Sequence, residues 1–197
     1  MLIQEDKTPS AKTAPGPKPS VKLHSICGVQ NGRDFMGNFE TNTAKYDFAF
    51  SPKSAKLVDG KLELTGDFTL MRGRVKRQIK GISAKLLSTQ GGLGAVPLRF
   101  AERAKESALP LTEATDETGF VGAMYFRFSP INARALGLTI NLDAVQFNAR
   151  LFATSELERD LQFEYSELVA AAYGKTANSS AARQHLDKLN QLLNQSI

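Results

Sequence analysis

Several residue types that build common kinds of site are scarce in this 197-residue chain. Cys27 is the single cysteine, so no disulfide can form within the chain and no site with several thiolate ligands can be built. We interpret it as a small buried apolar residue beside Ile26 and not as a nucleophile. Tryptophan is absent, and the two histidines, His24 and His185, lie in distant regions. Few side chains therefore remain from which a metal site or a general base could be assembled.

Catalytic and membrane-spanning patterns are missing as well. None of the GxSxG, HExxH, GxGxxG or P-loop patterns occurs. Gly91-Gly92-Leu93-Gly94 lacks a following lysine and serine or threonine, so we interpret it as a loop. No apolar run has the length of a transmembrane helix, and the first residues lack the plan of a signal peptide. We therefore predict that the protein is not an enzyme, with no catalytic residue, no metal site and no cofactor.

The composition is that of a globular protein with a surplus of positive charge. Hydrophobic residues make up 42% and charged residues 23% of the chain, whose length allows one substantial core. The net charge of +5 favours anionic partners without identifying one. Two compartments stay open. The first residues, taken literally, place the chain in the cytoplasm, whereas a removed leader would place it elsewhere.

Residue types divide the chain into three predicted parts. Residues 1–20 carry four prolines among lysine, threonine, serine and alanine, which predicts a disordered, Pro-rich tether. Residues 21–153 alternate as strands do and form the predicted β domain. In 154–197 two helices are predicted, the first from a capping box of Ser155 and Glu158. The second is too short to be stable alone, so it should dock on the β domain or on another subunit.

The clearest strand signal is Lys61–Leu70, where apolar and polar residues alternate strictly and Asp59-Gly60 predicts the preceding tight turn. A second strand around Tyr46 is predicted to end at Ser51-Pro52. The segment from Phe35 to Phe39 is interpreted as irregular.

Changes of parity at Gly81 and near Asp143 predict β-bulges, which bend a sheet towards closure. The predicted fold is mainly β, a curved antiparallel sheet, either barrel or sandwich, with two C-terminal helices.

Apolar residues of several strands share the predicted inner face. They form either a packed core or, if the sheet closes into a wide barrel, the wall of an apolar pocket, and periodicity does not separate the two. Gly66 lies in the middle of this face, and we expect an elongated cavity running past it. The predicted ligand-binding residues are Phe48, Phe50, Leu64, Gly66, Phe68, Met124, Phe126 and Phe128.

A basic cluster follows the clearest strand. On an extended chain Arg74, Lys76 and Lys80 share one face, with Arg72 near the turn. Together these four residues could bind the phosphates of a membrane surface or of nucleic acid, or form the wet face of an edge strand. Because no aromatic residues interleave with them, we do not expect nucleic acid. The C-terminal helices are the second predicted contact, with a protein partner.

Several short segments of the chain form a recognisable series. They are Arg33-Asp34, Phe39, Lys45-Tyr46, Phe48-Ala49-Phe50 and Leu64–Leu70, and more loosely Ile131-Asn132, Leu136-Gly137-Leu138 and Val145–Ala153. Together they resemble the second half of the YceI-like family and cover a minor part of the chain. Met71-Arg72 departs from the family by one extra residue before Gly73, and the histidine and threonine usual around that turn are missing. The resemblance implies a lipocalin-like barrel of a bacterium, usually outside the cytoplasm, which binds an isoprenoid or other long apolar chain.

Two functions remain in view at this point. The first is non-catalytic binding of an apolar, lipid-like ligand inside a β-barrel. The alternative is a structural or assembly subunit, or a protein-interaction module, with a solid β core.

Overall fold

The computed structural model describes residues 24–40, 44–91, 121–132, 145–173 and 178–195. The predicted tether and the bulge predicted near Asp143 lie outside these residues. The described elements are β1 (His24–Asn31), β2 (Asp34–Glu40), β3 (Lys45–Val58), β4 (Lys61–Arg72), β5 (Val75–Gly91), β6 (Val121–Phe128), β7 (Val145–Arg150), α1 (Glu156–Tyr173) and α2 (Ser179–Asn194).

The strands close into a barrel in the order in which they follow one another in the sequence. Neighbours from β1 to β7 pair antiparallel, and the barrel is closed where β1 and β7 pair in parallel. The mainly β fold with two C-terminal helices is confirmed. Closure removes the open sheet edges that a sandwich would keep.

The antiparallel order gives the barrel two different ends. The turns after β1 and β3 lie at one end, and β7 also finishes there because it runs parallel to β1. Helix α1 follows β7 directly, and both helices pack at this end, which we call the helix end. The turn at Gly73 and Arg74, between β4 and β5, lies at the opposite end, which we call the hairpin end.

Helix α2 packs within the same chain, on β3 and on α1. Its apolar stripe is largely covered, since Ala182, Leu189 and Leu193 are buried in the same core as the barrel residues. Of the two docking sites considered for this segment, the structure shows the β domain.

Two predicted boundaries were wrong. The segment from Phe35 to Phe39 is not irregular, because it forms most of β2. Gly37 interrupts the alternation of side chains by which a strand is recognised in the sequence. A Cβ there would lie 2.0 Å from the carbonyl oxygen of Cys27, so this strand needs a residue without a side chain. Strand β3 does not end at Pro52 either. Proline has no backbone N–H to donate, but the register shifts at a bulge between Pro52 and Ser54 and the strand continues to Val58.

The bulge predicted at Gly81 is confirmed. The register between β4 and β5 shifts between Gly66 and Phe68, opposite Gly81, whose φ is +70°.

The expected burial of Cys27 was wrong. Ile26 and Gly28 point into the barrel, so the residue between them points outwards and its thiol is exposed.

Candidate functional site

The predicted ligand-binding residues all lie inside the barrel. Phe50 pairs with Phe68 across β3 and β4, so their side chains share the inner face. Each of the seven side chains in the set is buried, with an exposed fraction between 0% and 3%. The sequence pattern therefore located the interior of the molecule, as strands of period two allow.

At the middle of the barrel the phenylalanine rings contact one another across the interior. Going round from ring to ring, the centroids of Phe48 and Phe68 are 6.1 Å apart and those of Phe68 and Phe128 are 5.7 Å apart. Phe128 and Phe147 are separated by 5.6 Å, and Phe147 and Phe48 by 5.5 Å, which closes a cycle of four rings. Phe50 contacts Phe128 at 5.0 Å and Phe147 at 6.3 Å.

These separations are those of aromatic rings in van der Waals contact. The five rings come from β3, β4, β6 and β7, so they meet from opposite walls of the barrel. We call these five residues the aromatic layer. A methylene chain cannot pass between side chains that already touch at this level.

Phe147 is the ring that the predicted site lacked. It contacts Phe35, Phe48, Phe50 and Phe128, more partners than any other ring of the layer. The alternation Val145, Phe147, Ala149 in β7 was the signal for it, since these residues form the dry face of that strand. Their position opposite β3 follows only from the parallel pairing of β1 with β7.

The structure gives Gly66 a different role from the lining of a cavity. A Cβ on Gly66 would lie 2.2 Å from the carbonyl oxygen of Ser51 and 2.8 Å from Cα of Pro52. The space beside Gly66 is thus occupied by the bulged backbone of β3. Glycine is needed here for the close approach of two strands.

Three buried polar side-chain atoms lack a hydrogen-bond partner among the described residues: Oε1 of Gln30 and the hydroxyl oxygens of Ser88 and Tyr165. Gln30 pairs with Phe35 across β1 and β2, and the rings of Phe35 and Tyr165 are 6.4 Å apart, so Gln30 and Tyr165 both neighbour Phe35. Complete burial raises the pKa of Tyr165 and keeps the hydroxyl neutral.

Glu158 connects α1 to the β1–β2 turn. Its Oε1 accepts a hydrogen bond from the backbone N–H of Gly32 at 2.6 Å. Its Oε2 accepts from the N–H and the hydroxyl of Thr154 at 2.6 and 2.5 Å, and from the N–H of Ser155 at 3.0 Å. The Ser155 hydroxyl accepts from the Glu158 N–H at 3.2 Å, which completes the predicted capping box.

This hydrogen bonding sets the ionisation of Glu158. Burial on its own would raise the pKa of the carboxyl group, but the bonds from Thr154, Gly32 and Ser155 outweigh it and lower the pKa from 4.5 to about 2. The carboxylate is therefore charged at neutral pH. It holds the helix to the barrel because it accepts hydrogen bonds both from the residues just before α1 and from the β1–β2 turn.

Helix α2 is held to the barrel by polar contacts with backbone atoms. The Asn190 side chain accepts from the N–H of Ala55 at 2.7 Å and donates to the carbonyl oxygen of Ala55 at 2.9 Å. The Arg33 guanidinium donates to the carbonyl oxygen of Leu193 at 2.9 Å and also bonds that of Gln195. Arg33, in the β1–β2 turn, thus donates to carbonyl oxygens at the end of α2, where the helix itself supplies no donor.

The basic cluster lies on the β4–β5 hairpin, and its geometry differs from the predicted one. Arg74 is in the turn, so it does not share a strand face with Lys76 and Lys80. Every residue from Arg72 to Gln78 is exposed. The cluster as it stands, which we call the basic hairpin, comprises Arg72, Arg74, Lys76, Arg77 and Lys80.

The two histidines lie in different elements, His24 in β1 and His185 in α2. Nδ1 of His185 lies 2.8 Å from Oε2 of Glu164, between the two helices. No group of three or more His, Cys, Asp or Glu side chains that could hold a metal ion occurs among the described residues.

Neither α1 nor α2, the helices of the described part of the chain, is both long and apolar enough to cross a membrane.

Comparison with known proteins finds no match of this chain to a family model, to a curated protein or to a solved structure.

Proposed function

We propose that this protein is a non-catalytic interaction module, in which a solid barrel braced by two helices presents an exposed surface to a partner. The observation that carries the proposal is the aromatic layer. Its rings contact one another from opposite walls at 5.0–6.3 Å, so side chains and not a ligand fill the middle of the barrel.

A binding assay with benzene tests the solid core, with an engineered cavity as its positive control. Phe128→Ala removes a ring from the layer and should leave an apolar cavity that binds benzene, as apolar cavities of this kind do. The wild-type protein should show no saturable binding when titrated by calorimetry or by ligand-observed NMR. Should Phe128→Ala not fold, Phe128→Leu makes a smaller cavity for the same titration. Saturable binding by the wild type would overturn the proposal.

The second candidate function is binding of an isoprenoid or other lipid-like ligand inside the barrel. The unpaired Oε1 of Gln30 and hydroxyl of Tyr165 favour it, because such atoms at the edge of an apolar interior suit the polar end of a ligand or an ordered water. The resemblance to the YceI-like family points the same way. The ligand would have to lie between the aromatic layer and α1, since the layer itself is occupied.

Solvent extraction separates the two candidates. Protein purified without detergent is extracted with organic solvent, and the extract is analysed by mass spectrometry. A lipid present in proportion to protein, and depleted in a Tyr165→Phe variant, would favour the second candidate. An extract without such a lipid supports the interaction module.

A further inference from the structure

We infer that the basic hairpin binds the surface of an anionic phospholipid bilayer, with Val75 entering its interfacial region. The inference deepens the proposed function, because it names the partner of the interaction module. It rests on the exposure, the charge and the shape of the hairpin.

The hairpin is not simply the wet face of a barrel strand. Leu70 pairs with Arg77 and Arg72 with Val75, so Arg77 and Val75 have the parity of the barrel interior. Both are nevertheless exposed, as are their outward-facing neighbours. Strand β4 stays paired with β3 as far as Met71, opposite Asp47, whereas β6 pairs with β5 only between Ala84 and Gly91. Among the described strands the hairpin is therefore a ribbon with an open edge along β5 and a tip, from Arg72 to Val75, that extends past β3.

The charge of the ribbon is of one sign. Five of the nine residues from Arg72 to Lys80 are cationic and none is acidic. None of the five cations forms an ion pair within the described part of the chain, whose ion pairs involve Lys45, Lys56, His185 and Lys188. A cluster of this size is attracted to the negative potential of an anionic bilayer.

An apolar side chain stands at the tip among these charges. Val75 directly follows the turn and is 56% exposed, the highest value among the large hydrophobic residues that the structure describes. An exposed apolar residue surrounded by cations matches the headgroup boundary of a bilayer, where the cations meet phosphates and the apolar group meets acyl chains.

Shape and chemistry favour a bilayer over the other anionic partners. An acidic peptide added along the open edge of β5 would match the cations but offers no acyl chains to the exposed Val75, whereas a bilayer offers both phosphates and acyl chains. A β-ribbon can enter the major groove of DNA, where arginine and lysine contact phosphates and guanine. In that groove the apolar contact open to the exposed Val75 is a thymine methyl group, whereas a bilayer offers it acyl chains. The hairpin also lies at the end away from α1 and α2, so approach to a flat surface meets neither helix.

The test is co-sedimentation of the full chain with vesicles of phosphatidylcholine containing phosphatidylserine, and with vesicles of phosphatidylcholine alone. Binding to the anionic vesicles should weaken with added sodium chloride. In the triple variant Arg74→Gln, Lys76→Gln, Arg77→Gln, binding should fall about 100-fold, at about fivefold for each charge removed.

Two further variants make the result specific. The matched control replaces three exposed cations outside the hairpin, Lys53→Gln, Arg159→Gln and Arg183→Gln, and should bind within about threefold of wild type because the cluster is intact. Val75→Ser should weaken binding by a factor that does not change with salt, since it removes an apolar contact.

Several outcomes would overturn the inference. Equal loss in the hairpin triple and the control triple would mean that net charge alone is at work. Stronger binding to duplex DNA or to a polyglutamate peptide than to anionic vesicles, lost in the same hairpin triple, would assign the surface to that partner. The proposed function fails separately, through a ligand extracted from the barrel, and that result would leave vesicle binding by the hairpin unaffected.

Discussion

At the helix end of the barrel, backbone atoms of strands and turns are bonded by side chains of α1 and α2, whereas at the hairpin end the residues from Arg72 to Gln78 extend into solvent. Glu158 and Asn190 each satisfy backbone groups that are distant in sequence. Among the hairpin cations the Arg72 guanidinium lies 5.8 Å from the centre of the Tyr46 ring, and none of the five forms an ion pair within the described residues. Stability and recognition are therefore expected to reside at different ends of one barrel.

The aromatic layer between the two ends should be the most sensitive part. Phe147→Ala removes the ring that contacts four others, and we expect it to lower the free energy of unfolding by about 3–5 kcal/mol. Urea unfolding followed by circular dichroism measures the change. The control Phe163→Ala truncates a ring on α1 that is 47% exposed and should cost much less. Similar losses for both would show that the layer is not the packed centre.

Substitutions at Gly66, in the barrel wall, and at Gly73, in the hairpin turn, should differ in their effect on stability. Gly66→Ala places a Cβ against the backbone of Ser51 and Pro52, which cannot move as a side chain can, and should destabilise by about 3 kcal/mol or prevent folding. Gly73 has φ +58° and open space around it, so Gly73→Asn should be tolerated within about 1 kcal/mol. Thermal unfolding ranks the two. A stable Gly66→Ala protein would revive a cavity beside Gly66.

Glu158 should make the helix end sensitive to acid. Its folded pKa of about 2 lies below the ordinary value of 4.5, so the stability it contributes is complete above about pH 5 and is lost as the pH falls towards 2. The contribution is at most about 3 kcal/mol. As the pH is lowered from about 6 to about 2, a range that spans both pKa values, the urea midpoint should fall more for wild type than for Glu158→Gln.

The Glu158→Gln variant should also be less stable than wild type at neutral pH, because an amide cannot accept the same set of donors. Glu156→Gln is the matched control, since it removes an exposed carboxylate from the same helical turn. Equal pH dependence in wild type and Glu158→Gln would remove Glu158 as the cause.

Asn190 should show a smaller effect at the same end. Asn190→Ala leaves the N–H and the carbonyl oxygen of Ala55 without their side-chain partner and is expected to cost about 1–3 kcal/mol. Asn194→Ala serves as the control, because the Asn194 side chain donates within its own helix, to the carbonyl oxygen of Asn190. Hydrogen exchange at Ala55 should rise in the first variant alone. Unchanged exchange would show that α2 is held by its apolar stripe.

The basic hairpin should contribute least to stability. The triple replacement of Arg74, Lys76 and Arg77 by glutamine removes exposed charges without ion pairs in the described chain and should leave the melting temperature within about 2 °C of wild type. A differential scanning measurement at low salt checks this. A clear loss of stability would show that these side chains support the fold and do not serve as a recognition surface.

Much of the fold was readable from local patterns. Strict alternation in Lys61–Leu70, the Asp59-Gly60 turn, the bulge at Gly81 and the capping box of Ser155 and Glu158 each depend on residues close in sequence. Such features follow from backbone sterics and side-chain parity, which act over a few residues. The set of inward-facing phenylalanines followed from the same parity.

Other features depend on contacts between distant segments. The sequence did not reveal that Phe147 closes the aromatic layer, that the backbone of β3 fills the space beside Gly66, or that the carboxylate of Glu158 reaches Gly32. It also placed Arg74 on a strand face and not in the turn. Parity alone determined which side chains point inwards. Only barrel closure, through the parallel pairing of β1 and β7, decided which of them meet, because pairing across a barrel joins residues that no local rule relates.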